Sequence, residues 1–554
     1  VSDLDLPMPM ARLLVARGLV ELEKIDRFLN PRLSDLSDPF ELKDMDKAVD
    51  RILQAIAERQ SILIYGDYDV DGITSTALMV NVLSALGGSV TPFLPHRIDD
   101  GYGLNVETLL RCIEQCHPRL IVTVDCGTGS VEAVRKAAEM GVDVVVTDHH
   151  EPPDECAPAL AIVNPKLCGN PATQMLAGVG VAFKLCHALL KKARADGWVG
   201  AESIDLRNYL DMVALGTIAD IVPLLHENRI LAYHGLSLLN RTQSVGLKSL
   251  IEVSGITGFI DSYHVGFILG PRINAMGRMG SAQKALELLL TDHAPRAKAL
   301  AMDLDAANRE RQEVETRIVK EACARIDEYF DPARHFGLVV SDQAWHTGVI
   351  GIVASRLVGR YYRPVVVIGL EPDGVGRGSC RSIEGFDLLA HLAKCSDLLL
   401  KFGGHAMAAG LEVEVSRIPE FVERFNAVVA ETLGQVDLRP VQPIDAWLSL
   451  PEIDKPFLEW QERLKPFGHG NKTPIWAASD IRFAGTPRIV GKSHLKATLT
   501  SRGTQHDAIG FGMADREIPQ GSFDAAFSVA KNTYYGDETI QLHLQDFRKE
   551  PAAE

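Results

Sequence analysis

The sequence predicts a multidomain α/β protein: a parallel-sheet domain, a long connecting helix, a second α/β unit and a carboxyl-terminal β-barrel. Three observations predict it. At 554 residues the chain is too long for one hydrophobic core, so roughly two to four domains are expected. Short apolar runs at 61–65, 119–124 and 142–146 alternate with helical patterns, the rhythm of parallel βαβ units. Residues 475–547 instead carry short β-rich runs split by polar or glycine turns, the rhythm of a small barrel. The expected boundaries are 1–50 for a helical segment, 51–293 for the first domain, 294–330 for the connecting helix, 331–430 for the second α/β unit and 431–554 for a linker and the barrel.

Composition narrows the function. Hydrophobic residues at 46% and charged residues at 23% exclude wholesale disorder. A formal net charge of -16 argues against a general polyanion-binding surface, so a nucleic-acid partner would be met by local basic patches or by metal ions. The 9 cysteines are scattered, and Cys112 and Cys116 lack the second pair or the histidines of a zinc site, which predicts reduced thiols. The opening VSDLDLPMPMARLL lacks the basic-then-apolar pattern of a signal peptide, and no run is long enough to cross a membrane, so a cytoplasmic protein is expected. The first residue is Val1, and the numbering is expected to begin inside a longer chain.

Residues 1–50 alternate short helical patterns with Pro and Asp breaks and suggest no chemistry. An amphipathic helix over 47–59 leads into the first strand, SILIY, which closes at Gly66. Asp67, Asp69 and Asp71 follow in GDYDVDG. In an extended segment alternate side chains share a face, so these acids would converge beyond the strand's carboxyl end. Two readings are open: a solvated acidic turn, or a divalent-metal site that offsets the repulsion of like charges. An EF-hand does not fit, because Gly72 opens the apolar run ITSTALMVNVLSAL and no loop continues to a terminal Glu. That helix, read from residue 73, ends at Gly87 and Gly88, and SVTPFLP is the next strand. The loop HRIDDGYGLN brings Arg97, Tyr102, two glycines and Asn105, a mix that suits a phosphorylated or planar ligand and equally an ordinary turn.

The strand at 119–124 ends in Asp125 and that at 142–146 ends in TDHH. In open parallel sheets ligands sit at the carboxyl ends of the strands, so Asp69, Asp71, Asp125, Asp148, His149 and His150 are expected at one edge, where metal binding outweighs coincidence. Gly127 and Gly129 could cradle a phosphate at a helix start, but a bare GxG is a weak signal and a tight turn is the favoured reading. Asp220 lies in the apolar stretch LGTIADIVPLL and needs a cation or hydrogen-bond donors.

A long helix follows over 294–330. Its second half aligns Val314, Ile318, Ala322 and Ile326, and NRERQE in its middle is polar nearly all round, as suits a helix bridging two domains. Then come the strand FGLVVS, the loop DQAWHTG, the helix VIGIVASRLVGRYY and the strand PVVVIGL. The run VGRGSCRS supplies Arg377, Ser379 and Arg381, either phosphate contacts or surface arginines in a loop. Beyond PVQPIDAWLSLPEIDKP, the runs IRFAGTPRIV, HLKATLT, HDAIGFGM, FDAAFSVA and TIQLHLQDF predict the barrel. Arg488, Lys492, His494, Lys496 and Lys531 with Tyr534 and Tyr535 would give it charge and stacking faces for single-stranded DNA; a purely structural or protein-binding barrel is the other reading.

Taken together, DYDVDG, TVD at Asp125, TDHH and ADIVPL resemble the first four motifs of the DHH phosphoesterase superfamily. GPRINAMGR at 270–278 and GGHAMAAG at 403–410 extend the likeness into its DHHA1 branch, and it runs over nearly the whole chain. Motif order, spacing and the extra barrel are similar to the bacterial members that degrade single-stranded DNA from the 5′ end. The resemblance implies a DHH domain, a DHHA1 domain and an OB-fold. It implies metal ligation by Asp69, Asp71, Asp125, His149 and Asp220, with His150 and Arg278 against the scissile phosphate. Asp67 stands where many relatives in the wider superfamily carry a ligand His, and would either ligate or orient the site; Asp148 would hold a histidine tautomer. Arg97, Tyr102 and Arg381 are expected near the substrate's 5′ end, Tyr65 as a further substrate contact, and Arg377, Ser379, Gly403, Gly404, His405 and Lys496 along the strand.

The oxygen-rich set suits two Mn²⁺ or Mg²⁺ ions, bridged by Asp125 and Asp220 about 3.5 to 4 Å apart. The implied activity is hydrolysis of single-stranded DNA 5′ to 3′ to mononucleotides, in DNA repair (mismatch repair included) and recombination. The implied partners are single-strand binding protein and a repair helicase, and the implied state is a monomer. Two rivals remain: a DHH–DHHA1 phosphodiesterase for short oligonucleotides or cyclic dinucleotides, and a non-catalytic single-stranded-DNA scaffold. The barrel favours a polymer over a dinucleotide, and the full set of acids and paired histidines argues against a scaffold.

Overall fold

The computed structural model of the chain describes residues 6–96, 100–101, 103–532 and 539–549. In the first domain five parallel strands, β1 (Ser61–Gly66), β2 (Ser89–Phe93), β3 (Leu120–Val124), β4 (Asp143–Thr147) and β5 (Ala161–Val163), lie in the order β2-β1-β3-β4-β5. Helices cover both faces, which is why β3 is buried at every residue and reads as an unbroken apolar run. The order reverses beside β1, so a crevice opens at the carboxyl ends of β1 and β3. Register then does something specific: Gly66 pairs with Val124, and Val124 with Thr147. Asp67, Asp125 and Asp148 are therefore each the first residue beyond one shared rung.

The helix after β1 begins at Val70, not at residue 73, and runs to Ala85. Only Asp67 and Asp69 precede it, and Asp71 lies in its first turn, so strand alternation is not what gathers the three acids. Asp69 is the N-cap, and its side chain accepts hydrogen bonds from the N–H groups of Asp71 and Gly72. This helix packs between two others, Gly178–Ala195 and Leu210–Ala219. The packing is close: a Cβ at Gly216 would lie 2.3 Å from Thr74 Oγ1.

The helix Ala294–Tyr329 has 36 residues and spans about 54 Å. Its first half buries Ala297, Leu300, Ala301 and Leu304 among the helices of the first domain, and its second half buries Ile318, Ala322 and Ile326 in the next. The polar middle is not simply solvated. Glu315 is buried and receives Arg311 at 2.8 Å and Arg356, from the second unit, at 3.0 Å.

That second unit is a five-stranded sheet of β6 (Leu338–Asp342), β7 (Val365–Leu370), β8 (Val375–Arg381), β9 (Lys401–Gly404) and β10 (Ala408–Glu414), in the order β6-β7-β8-β10-β9. The arginine-bearing run is β8, an internal strand and not a loop. Alternation along it places Arg377, Ser379 and Arg381 on one face.

The carboxyl-terminal unit contains β11 (Ala446–Trp447), β12 (Trp476–Phe483), β13 (Arg488–Val490), β14 (His494–Ser501), β15 (Thr504–Gly510), β16 (Phe523–Asn532) and β17 (Thr539–Lys549). The five strands β12-β16-β17-β15-β14 close into a barrel through the β12–β14 pairing at Arg482↔Thr500. The run IRFAGTPRIV is divided between β12 and β13, with a break at 484–487. Residues near the amino-terminus fold onto this barrel: Met10, Leu13, Leu14, Phe28 and Leu29 share one core with Leu450, Phe457, Trp476 and Phe527. All nine cysteines are free thiols. Among the described residues no helix is long and apolar enough to cross a membrane.

Candidate metal centre

Beyond the shared rung, Asp125 takes a left-handed backbone conformation, φ 62°, which turns the chain sharply after β3. Its carboxylate then meets the start of the helix Gly178–Ala195. Only glycine fits there, since a Cβ at residue 178 would lie 2.6 Å from Asp125 Oδ1. Asp71 uses the same helix start: its carboxylate accepts the N–H of Gly178 at 2.6 Å and of Val179 at 2.8 Å. A helix N-terminus favours negative charge, so this buried acid is held with its lone pairs fixed.

His149 stands at the centre. Its Nε2 is 3.1 Å from Asp125 Oδ1, 3.6 Å from Asp220 Oδ2 and 3.8 Å from Asp71 Oδ2. Three sets of potential ligand atoms each lie within 4.8 Å of one another: Asp67, Asp69 and Asp125; Asp71, His149 and Asp220; Asp125, His149 and His150. Asp125 belongs to two sets, and Asp220 to one. Asp148 is in none of them. Its Oδ1 accepts from the N–H groups of His149 and His150 and lies 2.8 Å from His150 Nδ1, and its Oδ2 accepts from Thr128 N–H at 3.0 Å. It therefore fixes the proton of His150 on Nδ1 and leaves Nε2 for other work.

Electrostatics supports a cation. Burial first, then the charge of Asp69, pushes Asp71 up to about 7 despite its two backbone donors. Burial and then Asp71, Asp69 and Asp67 push Asp220 up to about 9, and the same causes hold Asp125 well above the carboxylate range. Burial, followed by the charge of His150, lowers His149 to about 3, so it is a neutral imidazole. Its Nε2 is buried and makes no hydrogen bond. A neutral imidazole with an unused nitrogen among buried carboxylates fits a divalent ion with oxygen preference, and the residues present suit Mn²⁺ or Mg²⁺. His150 behaves oppositely. Burial works against its cation, but the hydrogen bond and charge of Asp148 outweigh it and raise its pKa.

Arg278 ends the helix Gly270–Met279 and donates from Nη1 to Gly348 O, in the second unit, at 2.9 Å. The helix Ile350–Tyr361 starts just beyond, and a Cβ at Gly351 would lie 3.0 Å from Ser379 Oγ and 3.1 Å from Arg381 Nη2. The turn at 348–351 thus gathers Arg278, Ser379 and Arg381. Arg377 is held elsewhere, 3.0 Å from Glu371 and 3.6 Å from Glu412. Gly403 and Gly404 lie on the edge strand β9, with His405 exposed after it. Lys496 on β14 pairs with Asp507 at 3.3 Å. Tyr65 is not a ligand contact: it is fully buried, and its hydroxyl donates to Gly103 O at 2.9 Å. Arg97, Tyr102, Tyr534 and Tyr535 lie outside the described residues.

Comparison with known proteins places this geometry. Residues 61–217 match the DHH family, N-terminal domain; residues 335–431 match the DHHA1 domain; residues 444–546 match the RecJ OB domain. The chain is 38% identical over 545 residues to the single-stranded-DNA-specific exonuclease RecJ of Bacillus subtilis, covering 97% of this chain and 67% of that one. It is 36% identical over 567 residues to the protein of the same name from Escherichia coli, covering 98% and 96%. The chain belongs to the RecJ family. The crystal structure of Thermus thermophilus RecJ in complex with Mn²⁺ superposes with a TM-score of 0.82 at 32% identity, covering 100% of this chain and 78% of that one. The same protein with Mg²⁺ gives 0.78 at 30%, covering 100% and 76%.

Several residues around this RecJ-family centre escaped the sequence reading. Asn274 Oδ1 accepts the Val70 N–H at 3.1 Å and so anchors the Asp69–Asp71 turn. Asn164 donates to His150 O at 3.0 Å and Thr128 Oγ1 at 3.1 Å, tying the two strand-end loops together. Gly178 sits in the apolar run LAGVGVAF, where nothing but its missing side chain marks it. On the barrel, outside that centre, the exposed ring of Phe511 lies edge-on to His494 and His543, and its position in a turn concealed it.

Proposed function

We propose that the chain hydrolyses single-stranded DNA from the 5′ end to mononucleotides, using two Mn²⁺ or Mg²⁺ ions, in DNA repair and recombination. The observation that carries this reading is the single rung Gly66–Val124–Thr147, beyond which Asp67 and Asp125 emerge side by side with His149 and Asp220 closing the pocket. The name shared by relatives that align along 97% and 98% of the chain supports the substrate class.

In this reading Asp69, Asp71, Asp125, His149 and Asp220 hold the ions, and Asp67 completes the set around Asp125. Bound there, the ions supply an acidified water and a counter-charge for the leaving oxygen. His150, whose cationic form Asp148 favours, and Arg278 neutralise charge on the non-bridging oxygens of the scissile phosphate. The water oxygen gives up a proton and bonds to phosphorus as the bond from phosphorus to the 3′ oxygen of the terminal nucleotide breaks, and that oxygen takes up a proton and leaves as the 3′ hydroxyl of the released mononucleotide. The shortened strand then presents a new 5′ phosphate. Arg381 and Ser379, beside the N-terminus of the helix Ile350–Tyr361, are the residues suited to receive it.

The same reading assigns the DHH, DHHA1 and OB units to residues 51–293, 331–430 and 431–554, places the protein in the bacterial cytoplasm as a monomer, and gives it a single-strand binding protein and a repair helicase as partners. The test is a time course on internally labelled single-stranded DNA with one end or the other blocked, in Mn²⁺ and in Mg²⁺. Mononucleotide release that stops only when the 5′ end is blocked is the expected result. Turnover of dinucleotides without cleavage of long strands would replace this reading with a short-substrate phosphodiesterase.

A further inference from the structure

Among the described residues, the most exposed aromatic side chains of the first domain lie together. Tyr263 is 60% exposed and Phe267 70%, and their rings stack at 5.0 Å between centroids and 28° between planes. Phe259, close by in sequence, is 69% exposed. Their backbone is fixed, not loose. Asp261 caps the turn Ser262–His264, accepting from His264 N–H and lying 2.7 Å from His264 Nδ1. The following turn, Val265–Leu269, is a π-helix, a departure from α geometry that is frequent at functional sites. Packing does not require these rings to be aromatic, and leaving them in water is unfavourable unless something covers them.

Their position is set by the packing of the segment that follows. Gly270, directly after the π-turn, is packed so that a Cβ would lie 3.3 Å from Ala219 and 4.0 Å from Val70. Those residues immediately precede Asp220 and follow Asp69. Ile221, next to Asp220, is itself 70% exposed with φ 62°. On the far side Ser262 Oγ donates to Phe467 O, and Leu224 N–H donates to His469 O at 2.7 Å, so the segment also rests on the carboxyl-terminal unit. The residues suited to the terminal phosphate gather at the other end of the helix Gly270–Met279, where Arg278 meets Gly348.

We propose that Tyr263 and Phe267 form a stacking platform for unpaired bases of the strand on the 3′ side of the scissile phosphate. This rests on the single-stranded-DNA reading above. With the 5′ phosphate held at 348–351, the remaining nucleotides leave the metal centre on the Asp220 side and meet the platform next. Bases free of a duplex offer π faces, and paired rings receive them without regard to sequence. A duplex would not use it, since its bases already stack on each other.

The test measures binding of fluorescent oligothymidylates to the full chain in Ca²⁺, comparing a trinucleotide with a long strand. The parent protein is expected to bind the long strand more tightly. In the double variant Tyr263→Ser with Phe267→Ser the long strand should weaken by about tenfold or more, closing most of that gap. Phe267→Leu should lose affinity and Phe267→Trp should keep it, because only the latter retains a π face. Equal long-strand affinity in the double variant, or full affinity in Phe267→Leu, would overturn the platform and point to a protein partner for this face, while leaving the exonuclease reading standing. A parent protein that binds no single-stranded DNA would overturn both.

Discussion

Arg229 donates from Nη1 to the carbonyl oxygen of Leu464 at 2.9 Å, across the boundary between the first domain and the carboxyl-terminal unit. The same guanidinium donates to Phe28 O at 2.8 Å, Lys465 O at 2.9 Å and Arg463 O at 3.2 Å, and its carbon sits 3.9 Å from the centre of the Phe28 ring. One buried side chain therefore joins three stretches of chain: the amino-terminal helices, the helix His226–Leu239 and the turn before the barrel.

Removing that guanidinium should unlock the assembly. Arg229→Met leaves buried carbonyls without donors, at a cost on the order of 3 kcal/mol. Urea unfolding should show the loss, and limited proteolysis should cut near 463–471 in the variant and not in the parent. Arg229→Met with parental stability and parental resistance to protease would mean that the apolar core alone fixes the barrel against the first domain.

The contrast between Arg229 and Asp125 shows what the sequence could and could not reveal. Asp125, Asp148 and His149 were legible because each follows an apolar strand directly, and in a parallel sheet consecutive strand ends share an edge. Asp71 was found for a partly mistaken reason. The strand rule placed it on an extended segment, whereas it sits in a helical turn and is drawn in by the N–H groups of Gly178 and Val179. The amino-terminal helices show an apolar face at residues such as Leu13 and Phe28, but such a face says that something covers it and not what, so their docking on the barrel was invisible. Tyr65 failed for a related reason: a tyrosine at a strand end beside a ligand site reads like a contact, and only burial distinguishes a brace from a ligand.

Gly178→Ala is the sharpest probe of the metal centre, because it removes no ligand. The added methyl would lie 2.6 Å from Asp125 Oδ1, and either the carboxylate or the helix start must move. Since Asp71 is bonded to that same helix start, both acids should shift together. Mn²⁺ affinity by calorimetry should fall by about tenfold or more, as ligand-orienting changes do, while far-ultraviolet circular dichroism stays that of the parent. Parental Mn²⁺ affinity would show that Asp125 is not a ligand.

The raised acids predict an unusual pH profile. Unfolded carboxylates release their protons near about pH 4, but Asp71 holds its proton to about 7 and Asp220 to about 9, with Asp125 also raised, burial being the first cause in each. Between those limits the folded, metal-free protein binds more protons than the unfolded chain, so its stability falls as pH rises. A divalent ion displaces those protons and binds more tightly at higher pH. The melting temperature in EDTA should therefore drop between about pH 6 and about pH 8.5, and the increment from added Mn²⁺ should grow over the same range. An increment that shrinks with pH would contradict the ligand set.

Arg377 and Arg381 share one face of β8 but have different surroundings, and that difference decides which of them can hold a terminal phosphate. Arg377 is neutralised by Glu371 and Glu412, so an incoming anion would have to displace two carboxylates. Arg381 lies against Ser379 Oγ at 3.1 Å and the start of the helix Ile350–Tyr361, whose dipole adds to its charge. Arg278 reaches the same turn through Gly348 O, so an anion bound there would sit between the second unit and the helix Gly270–Met279 of the first domain. Strands bearing 5′ phosphate should be degraded faster than strands with 5′ hydroxyl by the parent protein, and Arg381→Ala should reduce that preference by about tenfold or more, the effect of losing a charge-assisted contact. Arg377→Ala should keep the preference. If the two variants behave in the opposite way, the phosphate is read on the open glycine-bearing part of the sheet near Gly403 and Gly410, and the turn at 348–351 serves only to join the two domains.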